Sequence, residues 1–449
     1  MISTFPEGLE QLSPEASSLY KRDHLAIAGI EKLRFFPLAL ESARGSTLVE
    51  AGGRELIDLT STWTAAGLGY GHPKVTEAVT KALQSPAGMG LSLVNPEVVA
   101  LAEELLEIVP GPVGRKVYIG HSGSDACDVA LRAVRFAFPE KHMIAFRHSY
   151  HGGLGLALGA SGVHVEAGNS SPDPKVIFVD FPNPYRPKDH DPSALASMEH
   201  SLSQIRLEFE TKQISCVIVE PILDDGGLVI PPSGFLKELE AVCHKNGALL
   251  VCDEVKVGLG RTGLLHAFQH DGVTPDITCF GKSLGNGIPI SATIGPPEIL
   301  DHPTAATLLT TAGNPISASA ARAVLKTIKD EELPARADEA GKRFIAGLKQ
   351  LSCNTVGEVR GKGLAIGVEL VSDRYDKTPA PAVAAATSYR AFQLGVAVFC
   401  VGSNVLEITP PLVITDAEID RAIDILGQAI SDAEHGLVPP EIFQSYTGW

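Results

Sequence analysis

Short apolar runs and longer amphipathic stretches alternate from Pro73 to about position 290. The runs KVYIG (116–120), HMIAF (142–146), VIFVD (176–180), ISCVIVE (214–220), ALLVC (248–252) and DITCF (276–280) have the length and β-branched content of buried strands. Between them, PKVTEAVTKALQ, PEVVALAEELLEIV and HSGSDACDVALRAVRFAF carry apolar residues at helical spacing. Strands alternating with helices predict a mostly parallel sheet covered on both faces, an α/β fold. Upstream, the first 60 or so residues read as an irregular arm. It contains the apolar LRFFP (33–37) and a hairpin, STLVEAGGRELIDLT (46–60), turning at Gly52-Gly53. After Asn314-Pro315 the pattern is mainly helical. VGEVRGKGLAIGVEL (356–370), VAVFCV (396–401) and VLEITPP (405–411) then predict strands of a second, smaller α+β lobe. The boundaries expected are 1–65 for an N-terminal segment of the small domain, 66–320 for the large domain and 321–449 for the rest of the small domain.

Composition narrows the function classes. With 449 residues the chain can bury two or three lobes, and 44% hydrophobic with 20% charged residues is ordinary for a globular protein. A formal net charge of −16 argues against a nucleic-acid partner, which relies on clustered Lys and Arg. No apolar run is long enough to span a bilayer, and no basic amphipathic stretch points to a membrane surface. The start, MISTFPEGLEQLSPEASSLYKRD, lacks the basic and apolar regions of a signal peptide, so a cytoplasmic location is expected. The seven cysteines have no CxxC spacing, which favours buried free thiols over disulfides or a metal site.

The chemistry is concentrated between Ala248 and Ser291. ALLVC is followed by Asp253 and DITCF by Gly281-Lys282, so a carboxylate and an amine stand at the carboxyl ends of two strands, where open α/β sheets bind ligands. That pairing suits pyridoxal phosphate, whose aldehyde needs a lysine and whose pyridine nitrogen needs an acidic partner. Val255 is placed to pack on the ring. Read without that cofactor, Lys282 is a loop lysine and Asp253 a helix cap.

Other segments take meaning from this setting. Ser122-Gly123-Ser124 opens a helix after KVYIG and serves equally as a phosphate cradle or a plain N-cap. Tyr150, in SYHGG, is an aromatic able to stack on a ring or on the core. EPILDDGG sets Glu220, Asp224 and Asp225 past an apolar strand, as a base or as a turn cap. STWTAAGLGYGHP (61–73), with Trp63 and Tyr70, reads equally as a glycine-rich loop that presents aromatic faces and as an ordinary turn-rich linker. GLGRTG (258–263) fits the dinucleotide fingerprint, yet five residues separate it from the strand and no clear long helix follows.

These segments, with TTAGNP (310–315), resemble class III aminotransferases of fold type I over nearly the whole chain. LRFFPLAL, GRELIDL, LGYGHP, GHSGSDA, VCDEVKVGLGRTG, GNPIS, VLEITPPL and the final Gly448-Trp449 are most similar to the α-amino-ε-caprolactam racemases within that family. The resemblance implies a seven-stranded type of large-domain sheet and pyridoxal 5'-phosphate. Lys282 is then the lysine joined to the cofactor, Asp253 the partner of its ring nitrogen, and Val255 and Tyr150 the residues on either side of the ring. Ser122, Gly123 and Ser124 are implied to hold the phosphate. Thr310 is implied to reach the phosphate of a neighbouring subunit in a homodimer.

Racemization needs a second acid–base group besides Lys282, and Asp225 resembles the aspartate with that role in the caprolactam racemases and related epimerases. Many aminotransferases of the class have glutamate there. A second departure is Glu407, at the place where carboxylate-binding relatives have arginine before the F-x-PP-L segment. An acidic group there disfavours a free α-carboxylate and accepts from an amide N–H. The alternative is a surface strand residue, with Arg34 or Arg261 taking the carboxylate. The expectation is a racemase of α-amino lactams or α-amino-acid amides using Lys282 and Asp225, with Trp63, Tyr70 and Glu407 toward the substrate. The alternatives are an ω-amino-acid or amine aminotransferase, an amino-acid racemase, a non-catalytic cofactor-binding protein and a dinucleotide oxidoreductase.

Overall fold

A computed structural model describes residues 5–188 and 193–446, so the closing Gly448-Trp449 lies outside the described residues. The chain forms two compact units. The larger comprises Trp63–Gly67 and Pro73–Asp338; the smaller comprises Met1–Thr62, Leu68–His72 and Glu339–Trp449. The division thus falls at 338/339, a helix later than the 320/321 expected, because the helix Pro315–Asp330 belongs to the larger unit.

Seven strands build the sheet of the larger unit: β1 (Lys116–Gly120), β2 (His142–Phe146), β3 (Val176–Val179), β4 (Ile214–Val219), β5 (Leu249–Asp253), β6 (Ile277–Phe280) and β7 (Ser291–Gly295). Their order is β1-β7-β6-β5-β4-β2-β3, with β7 antiparallel to both neighbours and the others parallel where they pair. β4 is buried at all six positions, as a strand covered on both faces must be. The six runs read from the sequence all form strands. SATIG was not among them, because its small residues give neither an apolar run nor an alternation.

The chain passes from edge strand β1 to β2 through the helix Gly123–Ala137. Its apolar face, with Cys127, Ala130, Leu131 and Val134, packs on Met143, Cys216, Ile218, Val251, Ile277 and Cys279 of the sheet. Fully burying a larger aliphatic side chain such as Leu131 or Val134 contributes about 2 kcal/mol. Ser122 caps the helix by accepting the Asp125 N–H, and the Asp125 carboxylate accepts the Ser122 N–H in return. Strand register then aligns the chemistry. Val219 of β4 pairs Cys252 of β5, and Asp253 of β5 pairs Cys279 of β6. The Glu220–Asp225 segment, Asp253 and Lys282 therefore leave the carboxyl ends of three adjacent strands.

In the smaller unit, Thr47–Glu50 and Glu55–Asp58 form the expected hairpin, and Gly52 and Gly53 take the positive φ angles (109° and 87°) the turn requires. Val356–Lys362, Ala365–Asp373, Val405–Ile408 and Phe399–Val401 form an antiparallel sheet in that order. The N-terminal arm is less irregular than expected, for Pro14–Ala26 is a helix capped by Ser13. Its mostly polar residues lack an apolar stripe, while Pro14 at its first position marks the start. Among the described residues, no helix is long and apolar enough to cross a membrane.

Candidate active site

A cavity of about 380 Å³ opens at the carboxyl ends of β4, β5 and β6. It is lined by Ser122, Gly123, Ser124, Tyr150, His151, Glu220, Asp225, Asp253, Val255, Lys256 and Lys282, among others. The structure thus brings together eight residues named from the sequence for catalysis or cofactor binding. A larger groove, about 1210 Å³, runs beside the helices Pro73–Gln84, Pro96–Ile108 and Pro315–Asp330. Its Arg322 is paired with Glu97 and Glu104, and it offers no comparable constellation.

Asp253, the last residue of β5, is buried and fixed by its neighbours. The Val255 N–H donates to Oδ1 at 3.0 Å, and His151 Nδ1 lies 2.8 Å from Oδ2. A carboxylate only accepts, so Nδ1 carries the proton. Lys282 follows β6, with φ 40° and its Nζ 6.0 Å from the centre of the Tyr150 ring. Tyr150 is anchored through its N–H, which donates to Glu220 Oε1 at 2.9 Å. Burial, then the charge of Asp225, raises the Tyr150 phenol and keeps it protonated.

At the other end of the cavity, the first turn of Gly123–Ala137 leaves the Gly123 and Ser124 N–H groups without intrahelical acceptors. The approach is tight. A methyl group on Gly123 would come within 2.4 Å of Val255 Cγ1, and one on Gly152 within 2.6 Å of Ser124 Cα. Ser124 Oγ accepts the Gly153 N–H at 3.1 Å. Ser122 is the N-cap, its hydroxyl accepting the Asp125 N–H.

The acidic side of the cavity holds a feature the sequence reading passed over. Lys256 Nζ donates to Asp225 Oδ1 at 3.0 Å, and lies 3.0 Å from Asp224 Oδ1 as an ion pair without hydrogen-bond geometry. All three side chains are buried. The ammonium also sits 4.7 Å from the centre of the Trp63 ring. Trp63 lies within Ser61–Thr64, four consecutive non-glycine residues with φ between 45° and 65°. Such a left-handed run is costly in backbone strain. Burial raises Asp224 from its ordinary value, with the Lys256 charge working against it. Burial and then the charges of Asp253, Asp225 and Asp224 hold Glu220 well above the carboxylate range.

Lys256 was legible in one respect: it is a charge flanked by Val255 and Val257 just before Gly258. His151 and Cys127 carried no such signal.

The other expected site residues are placed as follows. Thr310 is exposed and does not line the cavity, though its carbonyl accepts the Leu91 N–H. Tyr70, in the smaller unit, donates to Asp58 Oδ2 at 2.8 Å and shares a 2.6 Å hydrogen bond with Thr62. Glu407, also in the smaller unit, is 1% exposed and accepts from Thr409 Oγ1, so it is not a surface strand residue. Arg34 pairs with Asp23 and Arg261 is fully buried. GLGRTG ends in turns and the short helix Ala267–Asp271, not in a helix a pyrophosphate could cap.

The family model described as Aminotransferase class-III matches residues 30–430. The chain belongs to the class III aminotransferase family. It is similar to an alanine/serine racemase of Pyrococcus horikoshii, 34% identical over 96% of this chain and 93% of that protein. An isoleucine 2-epimerase of Lentilactobacillus buchneri is 32% identical, over 97% and 99% of the two chains. A 5-aminovalerate aminotransferase of Pseudomonas aeruginosa is also 32% identical, over 94% and 100%. Among solved structures, an (S)-enantioselective omega-transaminase of Thermomicrobium roseum matches with a TM-score of 0.87 at 27% identity, covering 94% of this chain and all of that one.

The fold is therefore that of fold type I pyridoxal-phosphate enzymes, and pyridoxal 5'-phosphate is the cofactor of this class III enzyme. The cavity fits it: the Lys282 amine, the fixed Asp253 carboxylate, the Tyr150 ring and a closely packed helix N-terminus converge on a space of the right order. The family holds both racemases and aminotransferases, and the reaction is one of these two.

Proposed function

We propose that this enzyme is a racemase that inverts the α-carbon of α-amino-ε-caprolactam and α-amino-acid amides, with Lys282 and Asp225 as its two acid–base groups. The observation that carries the reading is Asp225 itself, a buried carboxylate lining the cavity that also holds Lys282. Amino transfer needs one base, which moves the α-proton and returns it elsewhere on the same side. Inversion needs a second group to serve the opposite side of the α-carbon.

When bound, pyridoxal phosphate supplies an aldehyde to take up the substrate amine and an electron-withdrawing ring that acidifies the α-proton. The residues have distinct tasks in this reading. Lys282 holds the cofactor and then moves the α-proton at its Nζ. Asp225 takes or gives the proton at a carboxylate oxygen, with Lys256 fixing its orientation. Asp253, held by His151 and Val255, faces the ring nitrogen, and the Gly123 and Ser124 amides with the Ser124 hydroxyl receive the phosphate. Val255 and Tyr150 flank the ring. Thr310 reaches the neighbouring subunit of a homodimer, which agrees with its exposure here.

Glu407 directs the choice of a neutral carboxamide over a free carboxylate, and Trp63 and Tyr70 belong to the substrate side. A second reading is a racemase or epimerase of free amino acids, favoured by the names of the relatives from Pyrococcus horikoshii and Lentilactobacillus buchneri. A chiral assay tests both. Single enantiomers of α-amino-ε-caprolactam, an amino-acid amide and the matching acid are incubated with and without a keto acid. Inversion of the lactam and amide without keto acid is expected. Loss of amine only when keto acid is present would make the enzyme an aminotransferase.

A further inference from the structure

Three donors act on the Asp253 carboxylate. The Val255 N–H occupies Oδ1, while Oδ2 accepts from His151 Nδ1 and, at 3.3 Å, from the Sγ–H of Cys127. The direction of the last bond is fixed, because an ionised carboxylate has no proton to give. Cys127 is fully buried in the helix Gly123–Ala137. Its contact with Cys279, followed by burial and the charge of Asp253, keeps its thiol protonated and therefore a donor.

Two circumstances make this bond more than packing. Asp253 is 4% exposed and stands near other acids: Glu254 follows it in the chain, and its charge is felt at Glu220. An ion so placed depends on its donors, since a buried carboxylate with a lost partner bears much of its desolvation cost. Position is the second. Cys127 lies three and four residues after Ser124 and Gly123, on the same side of the helix. The element that offers its first-turn amides to the phosphate thus also grips the carboxylate at the far end of the cavity.

We propose that Cys127 is a positioning residue for the cofactor: its thiol donates to Asp253 Oδ2 and, with His151, keeps that carboxylate aimed at the ring nitrogen. The inference rests on the reading of Asp253 as the ring-nitrogen partner. It concerns binding and the ring's protonation, so it can be tested without turnover.

The experiment titrates pyridoxal phosphate into apoprotein, following quenching of intrinsic fluorescence, and then follows the absorbance of the bound cofactor against pH. Cys127→Val should raise the dissociation constant about fivefold, the scale of one ordinary net hydrogen bond. The pH at which the bound cofactor's spectrum changes should shift as well. Cys127→Ala, which removes the donor without a branched side chain, should do the same. Cys127→Ser, which keeps a donor, should bind within about twofold of wild type, and so should Cys279→Ala, which leaves the bond to Asp253 in place. Unchanged binding and spectra in Cys127→Val and Cys127→Ala would overturn the proposal. So would equal weakening in Cys127→Ser or Cys279→Ala, since packing would then explain the effect. Asp253→Asn separates the two claims. If it weakens binding while the Cys127 variants do not, the inference alone fails; if it binds as wild type does, both fail.

Discussion

Lys256 Nζ stands 3.0 Å from Asp225 Oδ1 inside the cavity that holds Lys282, and Asp224 lies at the same distance on the same ammonium. One buried cation thus faces two buried carboxylates. The attraction fixes Asp225 in place, and the second acid divides the lysine's charge. Removing the cation would leave two buried like charges side by side, a change that costs several kcal/mol in other proteins.

Asp225→Asn and Lys256→Met should therefore fail differently. Asp225→Asn keeps its shape and loses its proton-transfer ability, so inversion should slow by about 100-fold or more with little change in thermal midpoint. Lys256→Met should lose racemization and also lower the midpoint, because Asp224 and Asp225 are left without their partner. Racemization at the wild-type rate in Asp225→Asn would place the second base elsewhere. Chiral chromatography and thermal unfolding on both variants check this.

Lys282 should carry the cofactor. Reduction of the holoenzyme with borohydride, followed by peptide mapping, is expected to leave the pyridoxyl group on the peptide containing Phe280-Gly281-Lys282. Lys282→Ala should lose turnover and the visible absorbance of the linked cofactor. Label on another lysine would contradict the assignment.

Glu407 tests substrate choice. Two like charges about 4 Å apart repel by roughly 1 kcal/mol in water and more at a partly dry site, and about 1.4 kcal/mol already means tenfold in preference. The wild type should have a higher kcat/KM for an amino-acid amide than for the matching acid, and Glu407→Arg should move the ratio toward the acid. A wild-type preference for the free acid would leave the amino-acid racemase reading in its place.

Acid should weaken the fold through His266. Its ring is buried against Phe268, its Nε2 lies 3.1 Å from the Ile108 carbonyl oxygen, and burial pushes its pKa down from 6.5 to about 4. A histidine depressed in the folded state stabilises the protein above about pH 6.5, and that contribution is lost as pH falls toward about 4. The loss is on the order of 3 kcal/mol. His266→Gln keeps a donor but cannot charge, so its urea midpoint should vary less between pH 7 and pH 4.5 than that of wild type. Parallel curves for the two proteins would contradict this role.

Much of this was readable from residue order, for reasons specific to each segment. Strands such as ISCVIV and ALLVC announce themselves because burial on both faces demands continuous apolar runs. Asp253 and Lys282 stand out because a charge at or just past the end of such a run has few structural uses. SATIG hid because an inner strand of small residues leaves no periodic signal, and Pro14–Ala26 because a mostly polar helix shows no stripe. The Lys256 pairing with Asp224 and Asp225 spans more than thirty positions and arises only when β4 and β5 align. Cys127 looked like any buried thiol, since nothing local says that a helix turn will meet the end of β5.

Inversion by two groups on opposite sides of the α-carbon can be followed in deuterium oxide, starting separately from each enantiomer of α-amino-ε-caprolactam and without keto acid. Samples are taken early and analysed by chiral chromatography with mass detection. A two-base racemase should place deuterium at the α-carbon of the inverted product from either starting enantiomer, and Asp225→Asn should lose this inversion. Substrate that is consumed only with keto acid, or that exchanges its α-hydrogen with configuration retained, would contradict it.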